Sequence, residues 1–253
     1  MVNSWVKYMQ INGMEFLMTD KRKVLILGGS SDIGVEVINL FLKKNWNITA
    51  HYSSNLNSLK KFKEKINLIK FDFKNEKNIE QKINKKFKGN FHSIINLVGY
   101  IDNKSHKNTN HKSILNALTV NTILPLLVIR RAIPFMLKEK WGRIVNGSSL
   151  GVAYGGGENS FNYGLSKHLL EFIPGKYKFW AENNVLINNL RIGFTDTKIH
   201  KKMNKTLKGK KRINLIPMKR MAKPIEMANY LVFLASEENS FMTNETLSAT
   251  GGE

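Results

Sequence analysis

The residues of this chain whose types and spacing could do chemistry are Ser149, Tyr163 and Lys167. Tyr163 and Lys167 are about one helical turn apart, so on a helix their side chains lie on the same face. A free tyrosine has a pKa of about 10, and an ammonium fixed beside it favours the phenolate and lowers that pKa. Ser149 ends an apolar, strand-like run and could hold a carbonyl oxygen against the phenol. The three residues together predict proton transfer to or from an alcohol or a carbonyl.

The Tyr-x-x-x-Lys spacing is weak support by itself, because lysine is abundant and the same spacing recurs at Tyr100 and Lys104. That second pair lies in a polar, loop-like segment that no serine-bearing strand precedes. Tyr163 instead stands between such a strand and an apolar, helix-like segment. The competing interpretation is structural, with Tyr163 as a surface residue of a helix and Ser149 as a strand-end cap.

The chain has 253 residues, of which 42% are hydrophobic, which is enough for one sizeable core in a single α/β domain. It contains no cysteine, which excludes disulfides and thiolate metal sites, and we predict no bound metal. No uninterrupted apolar run approaches the roughly 18 residues of a membrane span, and no signal-peptide pattern begins the chain. We therefore expect a cytoplasmic enzyme that does not span a membrane.

The formal net charge of +21 raises the alternative of nucleic-acid binding. The excess is carried mainly by lysine, and no zinc-finger spacing, basic zipper or RNA-binding aromatic motif accompanies it. A solvated basic surface is the favoured interpretation, and no nucleic-acid partner is predicted.

Apolar runs that suit buried strands alternate with helical apolar patterns along most of the chain. This alternation predicts the α/β class, as a Rossmann-type, doubly wound parallel sheet of about seven strands with helices on both faces. Residues 1–21 are predicted to form an N-terminal extension of unassigned role, followed by a single domain at 22–253. The expected strands are 23–27, 47–52, 68–72, 91–98, 142–148, 185–190 and 246–249, and the expected helices are 35–42, 56–66, 79–87, 111–138, 161–181 and 224–235.

A glycine-rich turn at residues 28–34 joins the first expected strand of this domain to the first expected helix. Glycines let a backbone approach a pyrophosphate, and a helix N-terminus offers free N–H groups and partial positive charge. A strand, a glycine-rich turn and a helix in this order predict dinucleotide binding. The turn residues expected at the cofactor are Gly28, Ser30, Ser31, Asp32, Ile33 and Gly34.

The expected cofactor is NADP rather than NAD. NAD-binding folds of this kind carry an acid about 20 residues after the glycines, where it bonds the ribose. Here no Asp or Glu occurs between Glu36 and Glu64, and the second strand runs into Tyr52 and Ser53. Small hydroxyls and nearby lysines would accept a 2′-phosphate that an acid would repel. The competing interpretation is that this turn is a polar loop and that the ribose is held elsewhere.

With these elements in place, the chain resembles the short-chain dehydrogenase/reductase family over roughly residues 22–252. Four segments carry the likeness: the family's Thr-Gly-x-x-x-Gly-x-Gly turn, its Asn-Asn-Ala-Gly element, its Pro-Gly-x-x-x-Thr segment and its C-terminal signature. Among members, the chain is most similar to the 3-oxoacyl-(acyl-carrier-protein) reductases. The matching residues are 27–34, 96–99, 191–197, 243–247 and 251–252.

The resemblance implies that hydride passes between the cofactor and a carbonyl carbon while Tyr163 exchanges a proton with the carbonyl oxygen. Ser149 would hold that oxygen, and Lys167 would lower the tyrosine pKa and bond the nicotinamide ribose. Asn121 would order a relay water, and Asp72 would bond the adenine. The cofactor-binding residues expected in all are Gly28, Ser30, Ser31, Asp32, Ile33, Gly34, Tyr52, Ser53, Asp72, Phe73, Asn96, Val98, Gly99, Tyr163, Lys167, Gly193 and Thr195.

The resemblance also implies a substrate lid at about residues 195–222 and assembly into a homo-oligomer, either a dimer or a tetramer. Residues 198–223 carry eleven Lys or Arg and no Asp or Glu. Such a field would attract an anionic or carrier-linked carbonyl or alcohol substrate, with a solvated surface as the competing interpretation.

Three departures from the family pattern bear on these expectations. Asp32 replaces a glycine, and its carboxylate is expected to cap the following helix and to crowd a phosphate. Ile192 replaces the family's proline. Pro174 and Gly175 fall inside the helix after Lys167 and should kink or break it, which bears on the usual tetramer. The alternative to an enzyme is a degenerate family member that binds NADP and catalyses nothing, as a sensor or scaffold.

Overall fold

The computed structural model describes residues 6–11, 14–19, 21–74, 78–173, 175–198, 200 and 206–253. At 6–11 and 14–19, and at residues 175, 176, 178 and 208, it describes the backbone alone. Pro174 and the parts of the expected lid at 199 and 201–205 lie outside the described residues.

The N-terminal residues to which the sequence assigned no role form a two-stranded antiparallel hairpin. Its strands are β1, Val6–Ile11, and β2, Met14–Thr19, with Ile11 paired to Met14. Within the described part of the chain, these two strands pair with each other and not with the main sheet. The division into an extension at 1–21 and one domain at 22–253 stays a prediction.

Seven parallel strands form the main sheet, which confirms the predicted α/β class and its doubly wound topology. They lie in the order β5-β4-β3-β6-β7-β8-β9. The first strand, β3, is therefore internal, with β4 and β5 on one side of it and β6 to β9 on the other. In open sheets of this kind, ligands bind at the carboxyl ends of the strands, where the order reverses. The strands are β3 Lys23–Leu27, β4 Asn47–Tyr52, β5 Asn67–Lys70, β6 Ser93–Asn96, β7 Gly142–Ser149, β8 Val185–Ile192 and β9 Thr246–Ala249.

Helices cover both faces of the sheet, as predicted. Short 3₁₀ segments lie at Asn57–Phe62, Leu150–Tyr154 and Gly175–Asn183. The α-helices are α1 Asp32–Lys43, α2 Ile79–Lys86, α3 His111–Leu118, α4 Leu124–Lys138, α5 Phe161–Leu170, α6 Leu207–Leu215 and α7 Pro224–Ala235.

Two expected helices are shorter than predicted. The helix expected at 56–66 is only the 3₁₀ segment Asn57–Phe62. The helix expected at 161–181 ends at Leu170, and a 3₁₀ segment begins at Gly175. A proline disfavours helical backbone in the residue before it, so the proline at position 174 explains the early end. The predicted break in this helix is therefore confirmed.

The core has two layers, one on each face of the sheet. Alternate residues of β3 point to opposite faces, so Val24 packs with the cluster that contains α1 and α7. Its neighbour Leu25 packs with the cluster that contains α2 and α4. Full burial of one such side chain contributes about 1.5–3 kcal/mol. Burial on both faces explains why β3 is a continuous apolar run rather than an alternating one.

The helical stretch His111–Lys138 consists of α3, a π-helical turn at Thr119–Ile123 and α4. By length and composition alone this stretch could cross a membrane. Half of its most apolar window is buried within the fold, and core helices pass the same test. Here α4 packs against the sheet through the buried side chains of Val128, Ile133 and Met136.

A row of hydrogen-bonded polar side chains crosses four neighbouring strands of the sheet. The side chain of Asn96 on β6 donates to Asn146 on β7 at 3.3 Å, and Asn146 donates to Asn189 on β8 at 3.1 Å. Asn189 in turn donates to Thr246 on β9 at 3.1 Å. All three asparagines are at most 1% exposed, so each hydrogen bond offsets a desolvation cost of about 1–3 kcal/mol. These residues are register partners, so the row links the four strands to one another.

Candidate active site

The structure brings Ser149, Tyr163 and Lys167 together at the carboxyl end of β7. Ser149 is the last residue of β7, and α5 carries the other two residues past it. The Ser149 hydroxyl lies beside the Tyr163 phenol and favours its ionised form. Lys167 is 2% exposed, and its Nζ donates to the carbonyl oxygens of Val98 at 2.8 Å and Gly147 at 2.6 Å. The lysine is therefore tied to β7 and to the segment that follows β6.

Burial determines the protonation of this pair. Burial raises the pKa of Tyr163 above its usual value, and the neighbouring Ser149 hydroxyl opposes the rise only in part. Burial also lowers the pKa of Lys167 to about 7, against a smaller opposing effect of the Glu171 carboxylate. The expectation that Lys167 lowers the tyrosine pKa is therefore wrong in its net direction. In this environment the phenol carries its proton at neutral pH.

Asn121 lies in the π-helical turn between α3 and α4, and it is fully buried. Its Oδ1 accepts from the Tyr100 N–H at 2.6 Å, and its Nδ2 donates to the Tyr100 carbonyl at 2.9 Å and to Ser166 Oγ at 2.8 Å. The carboxamide thus braces the loop after β6 against the residue that precedes Lys167. The relay role predicted for Asn121 stays a prediction.

The glycine-rich turn has the geometry of a close backbone approach. Gly28 has a φ of +73°, and a Cβ there would lie 2.7 Å from the Leu97 carbonyl oxygen. Ser31 is the N-cap of α1: its Oγ accepts from the Gly34 N–H at 3.1 Å and donates to the Gly28 carbonyl at 2.8 Å. The turn therefore presents the N-terminus of α1 to the cleft.

Asp32 does not cap α1, which corrects the sequence-based expectation. It is the first residue of the helix, after the Ser31 cap. Its carboxylate accepts the backbone N–H of Lys198 at 2.6 Å and lies 3.3 Å from the Lys198 Nζ. The carboxylate therefore joins the glycine-rich turn to the segment that follows β8, where the lid is expected to begin.

His51 was missed by the sequence reasoning, although it lies directly against the turn. Its Nδ1 accepts from the Gly28 N–H at 3.2 Å, so its proton is on Nε2, which donates to the Phe71 carbonyl at 2.8 Å. The ring stacks on Phe73 with centroids 4.8 Å apart. Burial lowers the pKa of His51 to about 4. Phe73, expected at the cofactor, thus has its side chain in the core.

A cleft of about 330 Å³ opens at the carboxyl ends of the strands between the turn and Tyr163. Eleven of the predicted site residues line it: Ser30, Ser31, Asp32, Ile33, Val98, Gly99, Ser149, Tyr163, Lys167, Gly193 and Thr195. The predicted residues that do not line it are Gly28, Gly34, Tyr52, Ser53, Asp72, Phe73, Asn96 and Asn121.

The wall of the cleft on the side of the expected lid holds residues that the sequence reasoning did not assign. Thr197, His200 and Arg212 line it, together with Phe194. Thr197 stands at the threonine of the Pro-Gly-x-x-x-Thr pattern, so the motif could have found it in place of Thr195. The Thr195 hydroxyl donates to the Gly193 carbonyl within its own loop at 2.9 Å.

Two basic side chains on this wall pack around one aromatic ring. The rings of Phe194 and His200 meet edge to face at 4.6 Å, and the Arg212 guanidinium lies 5.4 Å from the Phe194 ring centroid. Burial lowers the pKa of His200, and Arg212 lowers it further. The Arg212 guanidinium also forms an ion pair with Glu253, in which one nitrogen donates to Glu253 Oε2 at 2.6 Å. The Arg212 cation of this wall is therefore paired with a carboxylate.

The chain is similar to several known proteins. The family model described as enoyl-(acyl carrier protein) reductase matches residues 28–253. The 3-oxoacyl-(acyl-carrier-protein) reductase FabG of Aquifex aeolicus is 36% identical over 136 residues, which are 53% of this chain and 54% of that protein. FabG of Buchnera aphidicola subsp. Schizaphis graminum is 28% identical over 235 residues, which are 92% of this chain and 88% of that protein. The solved structure "ElxO with NADP Bound" has a TM-score of 0.80 at 25% identity, covering 92% of this chain and 98% of that one.

A doubly wound sheet with a glycine-rich turn before its first helix is typical of dinucleotide-binding proteins. The family model covers most of the chain, and the Buchnera relative matches over nearly the whole of it. The chain therefore belongs to the short-chain dehydrogenase/reductase family of NAD(P)-dependent oxidoreductases.

Proposed function

We propose that this protein interconverts a carbonyl and a secondary alcohol with NADP(H), by hydride transfer coupled to proton transfer at Tyr163. The observation that carries the proposal is the group of Ser149, Tyr163 and Lys167 inside a cleft that begins at the glycine-rich turn. The likeness to the Buchnera protein, which is named a 3-oxoacyl reductase, supports a ketone of an acyl compound as the substrate class.

In reduction, the Ser149 hydroxyl and the Tyr163 phenol would both donate to the substrate oxygen. Two such donors stabilise the negative charge that develops on this oxygen as hydride arrives. Because burial keeps the phenol protonated, Tyr163 begins reduction as the proton donor. Lys167 has a pKa of about 7 and is half charged at neutral pH, so its ammonium form stabilises the phenolate that remains.

The cleft fits a dinucleotide cofactor, which would supply or accept the hydride when bound. The close approach at Gly28 lets the turn pack on the end of β6 without a Cβ, and α1 offers its N-terminus to an anion. Ser30, Ser31 and Ile33 would hold the pyrophosphate. Val98, Gly99, Gly193 and Thr197 would contact the nicotinamide end, with Lys167 on its ribose.

The preference for NADP over NAD is supported by the lack of an acid after β4. Ser53 is exposed there, and the exposed Lys60 and Lys61 line a neighbouring groove that opens at Asp32. The likeness to ElxO, which was solved with NADP bound, supports the same preference. The test is a pair of dissociation constants: NADPH should bind more tightly than NADH, and Ser53→Asp should move the preference toward NADH. Tighter binding of NADH to the wild type would refute this preference.

The substrate is proposed to be anionic or carrier-linked because of the cations of the lid. Lys210 and Lys211 are exposed on α6, next to Arg212 in the wall of the cleft. The ratio of kcat/KM for a charged ketone ester to that for a neutral analogue should fall as salt is raised. Replacing Lys210, Lys211 and Arg212 by Gln should remove this dependence, whereas Lys63→Gln with Lys65→Gln should keep it. A ratio that does not change with salt would show that these charges belong to a solvated surface and do not attract the substrate.

The activity itself is tested by NADPH oxidation over a substrate panel. The panel holds a 3-oxoacyl thioester, a simple ketone and an enoyl thioester, the last because the matching family model is described as an enoyl reductase. We expect reduction of a ketone, and Tyr163→Phe should lower kcat/KM by about 10²–10⁴-fold with NADPH binding retained. NADPH binding without turnover of any substrate would favour the sensor or scaffold, and near-normal turnover by Tyr163→Phe would remove the tyrosine from its role.

We also infer a homo-oligomer in the cytoplasm. Phe172 and Phe179, on the chain that follows α5, are 72% and 65% exposed, and Phe241 is 95% exposed. Exposed aromatic side chains of this size are enriched at protein interfaces. Light scattering should give a dimer or a tetramer, and a monomer at micromolar concentration would contradict the inference.

A further inference from the structure

Three successive residues at the end of β7 contact three successive turns of α5. The Ser149 hydroxyl lies beside the Tyr163 phenol, and the Gly147 carbonyl accepts from Lys167 at 2.6 Å. Between them, the Ser148 hydroxyl donates to Glu171 Oε1 at 2.6 Å. Tyr163, Lys167 and Glu171 follow each other at intervals of four residues, so they lie on one face of the helix. The Tyr-x-x-x-Lys pair is thus part of a longer pattern that ends in a carboxylate.

The Glu171 carboxylate is held in place from a third element. Arg191 on β8 donates to both of its oxygens, from Nε at 2.9 Å and from a terminal nitrogen at 2.7 Å. Ser148 and Arg191 are register partners on neighbouring strands, so their side chains reach the same face of the sheet. The Glu171 side chain is 8% exposed. Burying a carboxylate to this extent carries a desolvation cost, which the hydrogen bonds from Ser148 and Arg191 offset.

We propose that Glu171 is a positioning residue of this site, which fixes α5 against the end of β7 and places a negative charge one helical turn from the Lys167 ammonium. The inference rests on the proposed function, because it assumes that the charge of Lys167 serves the reaction at Tyr163. It does not make Glu171 a catalytic residue, because the carboxylate bonds Ser148 and Arg191 rather than the residues that would touch substrate.

The surroundings of Lys167 make Glu171 the charge most able to act on it. On its own helix the titratable neighbours are Tyr163 and Glu171. β7 and the segment after β6 offer only uncharged groups, the carbonyls of Gly147 and Val98. The same cleft is also lined by charged or titratable side chains, namely Asp32, Lys198, His200 and Arg212. The Asp32 carboxylate is paired with Lys198, and the Glu171 carboxylate is paired with Arg191. The Glu171 field favours the ammonium, opposing the burial of the amine.

The test measures the titration of the Lys167 amine in the full chain by NMR of lysine labelled at its terminal carbon or nitrogen. Lys167→Met assigns the resonance by its disappearance. Glu171→Gln keeps the size of the side chain and one acceptor oxygen but removes the charge and the second acceptor, so the midpoint should fall by about one pH unit. Glu171→Gln combined with Arg191→Gln also removes the unpaired guanidinium, so part of this fall should be restored. Glu182→Gln, on an exposed residue, is the matched control and should leave the midpoint unchanged.

The same variants are then compared in kcat/KM against pH at saturating NADPH. For Glu171→Gln we expect the limb assigned to Lys167 to move with the NMR midpoint. A midpoint equal to that of Glu182→Gln, or a loss of activity of equal size at every pH, would overturn the inference and leave Glu171 a packing residue. If the midpoint moves as expected but the wild type reduces no carbonyl, the proposed function fails while the assignment of Glu171 stands.

Discussion

His51 is a buried histidine whose two ring nitrogens are both committed, so acid should destabilise the fold through this one residue. Nδ1 accepts from the Gly28 N–H and Nε2 donates to the Phe71 carbonyl. A second proton would have to go on Nδ1, where it would face a backbone donor. The ring is 3% exposed, and burial is the main reason that its pKa is lowered to about 4, against the opposing effects of Phe71 and Asp72.

The size of the effect follows from the difference between the folded and unfolded pKa values. An unfolded histidine titrates near 6.5, about 2.5 pH units higher, which at about 1.36 kcal/mol per unit gives an upper limit of about 3 kcal/mol. Because the folded pKa is the lower one, this stability is fully present above pH 6.5. It is lost as the pH falls from 6.5 toward 4, since the unfolded chain takes up a proton that the folded chain does not. Between pH 7 and pH 5 the loss should be about 2 kcal/mol.

The assay is urea unfolding at pH 7, 6 and 5, with the free energy of unfolding extrapolated to water. The variant is His51→Gln, whose amide can accept from one backbone group and donate to the other without titrating. We expect the wild type and the control His168→Gln, on an exposed residue of α5, to lose about 2 kcal/mol, and His51→Gln to lose less than about 1 kcal/mol. His200 also has a lowered pKa and accounts for part of the remainder. An equal loss in all three proteins would refute the assignment to His51.

Three further predictions concern stability, each measured as a free energy of unfolding in urea. Lys167→Met should raise the free energy of unfolding by at least about 1 kcal/mol at pH 7, because a buried amine with a pKa of about 7 opposes folding at this pH. The variant should also lose turnover, and an unchanged free energy of unfolding would contradict the prediction. Asn146→Leu should cost about 2–4 kcal/mol, because it removes the partner of the buried Asn96 Nδ2 and of the buried Asn189 Oδ1. Asn229→Leu, on the exposed face of α7, should stay within about 0.5 kcal/mol, and similar costs would argue against the row. Gly28→Ala should cost at least about 1 kcal/mol more than Gly155→Ala. Both glycines have positive φ, but of the two only Gly28 would bring its Cβ against a backbone carbonyl, at 2.7 Å. A larger cost at Gly155 would disprove the close approach.

The sequence predicted well whatever depends on neighbours in the chain. The apolar run at 23–27 and the glycines after it are local signals for a buried strand, a turn and a helix, and β3 and α1 lie where these signals place them. Tyr163 and Lys167 are also a local pair, because one helix sets the distance between them. The end of α5 before residue 174 follows from proline chemistry at that position.

The sequence did not predict pairings that depend on strand register or on the packing of distant segments. Asn146 and Asn189 are ordinary residues of two apolar runs until β7 and β8 align and their side chains meet. His51 looked like part of a polar strand end, and only the packing of β4 beside the turn shows that it supports Gly28. Thr197 is different, since the motif pointed to it and the neighbouring Thr195 was chosen instead.

The spacing of Tyr163 and Lys167 predicts a lowered tyrosine pKa, whereas the pKa of Tyr163 in the structure is raised. The Lys167 Nζ lies 5.8 Å from the tyrosine ring centroid, where its positive charge favours the phenolate. Burial of an ionisable group favours its neutral form, and at Tyr163 burial is the largest effect on the pKa. Burial also lowers the pKa of Lys167 to about 7, so only about half of its charge is present at neutral pH. The larger effect therefore acts against the phenolate, and the site favours a tyrosine that donates a proton over one that has already lost it.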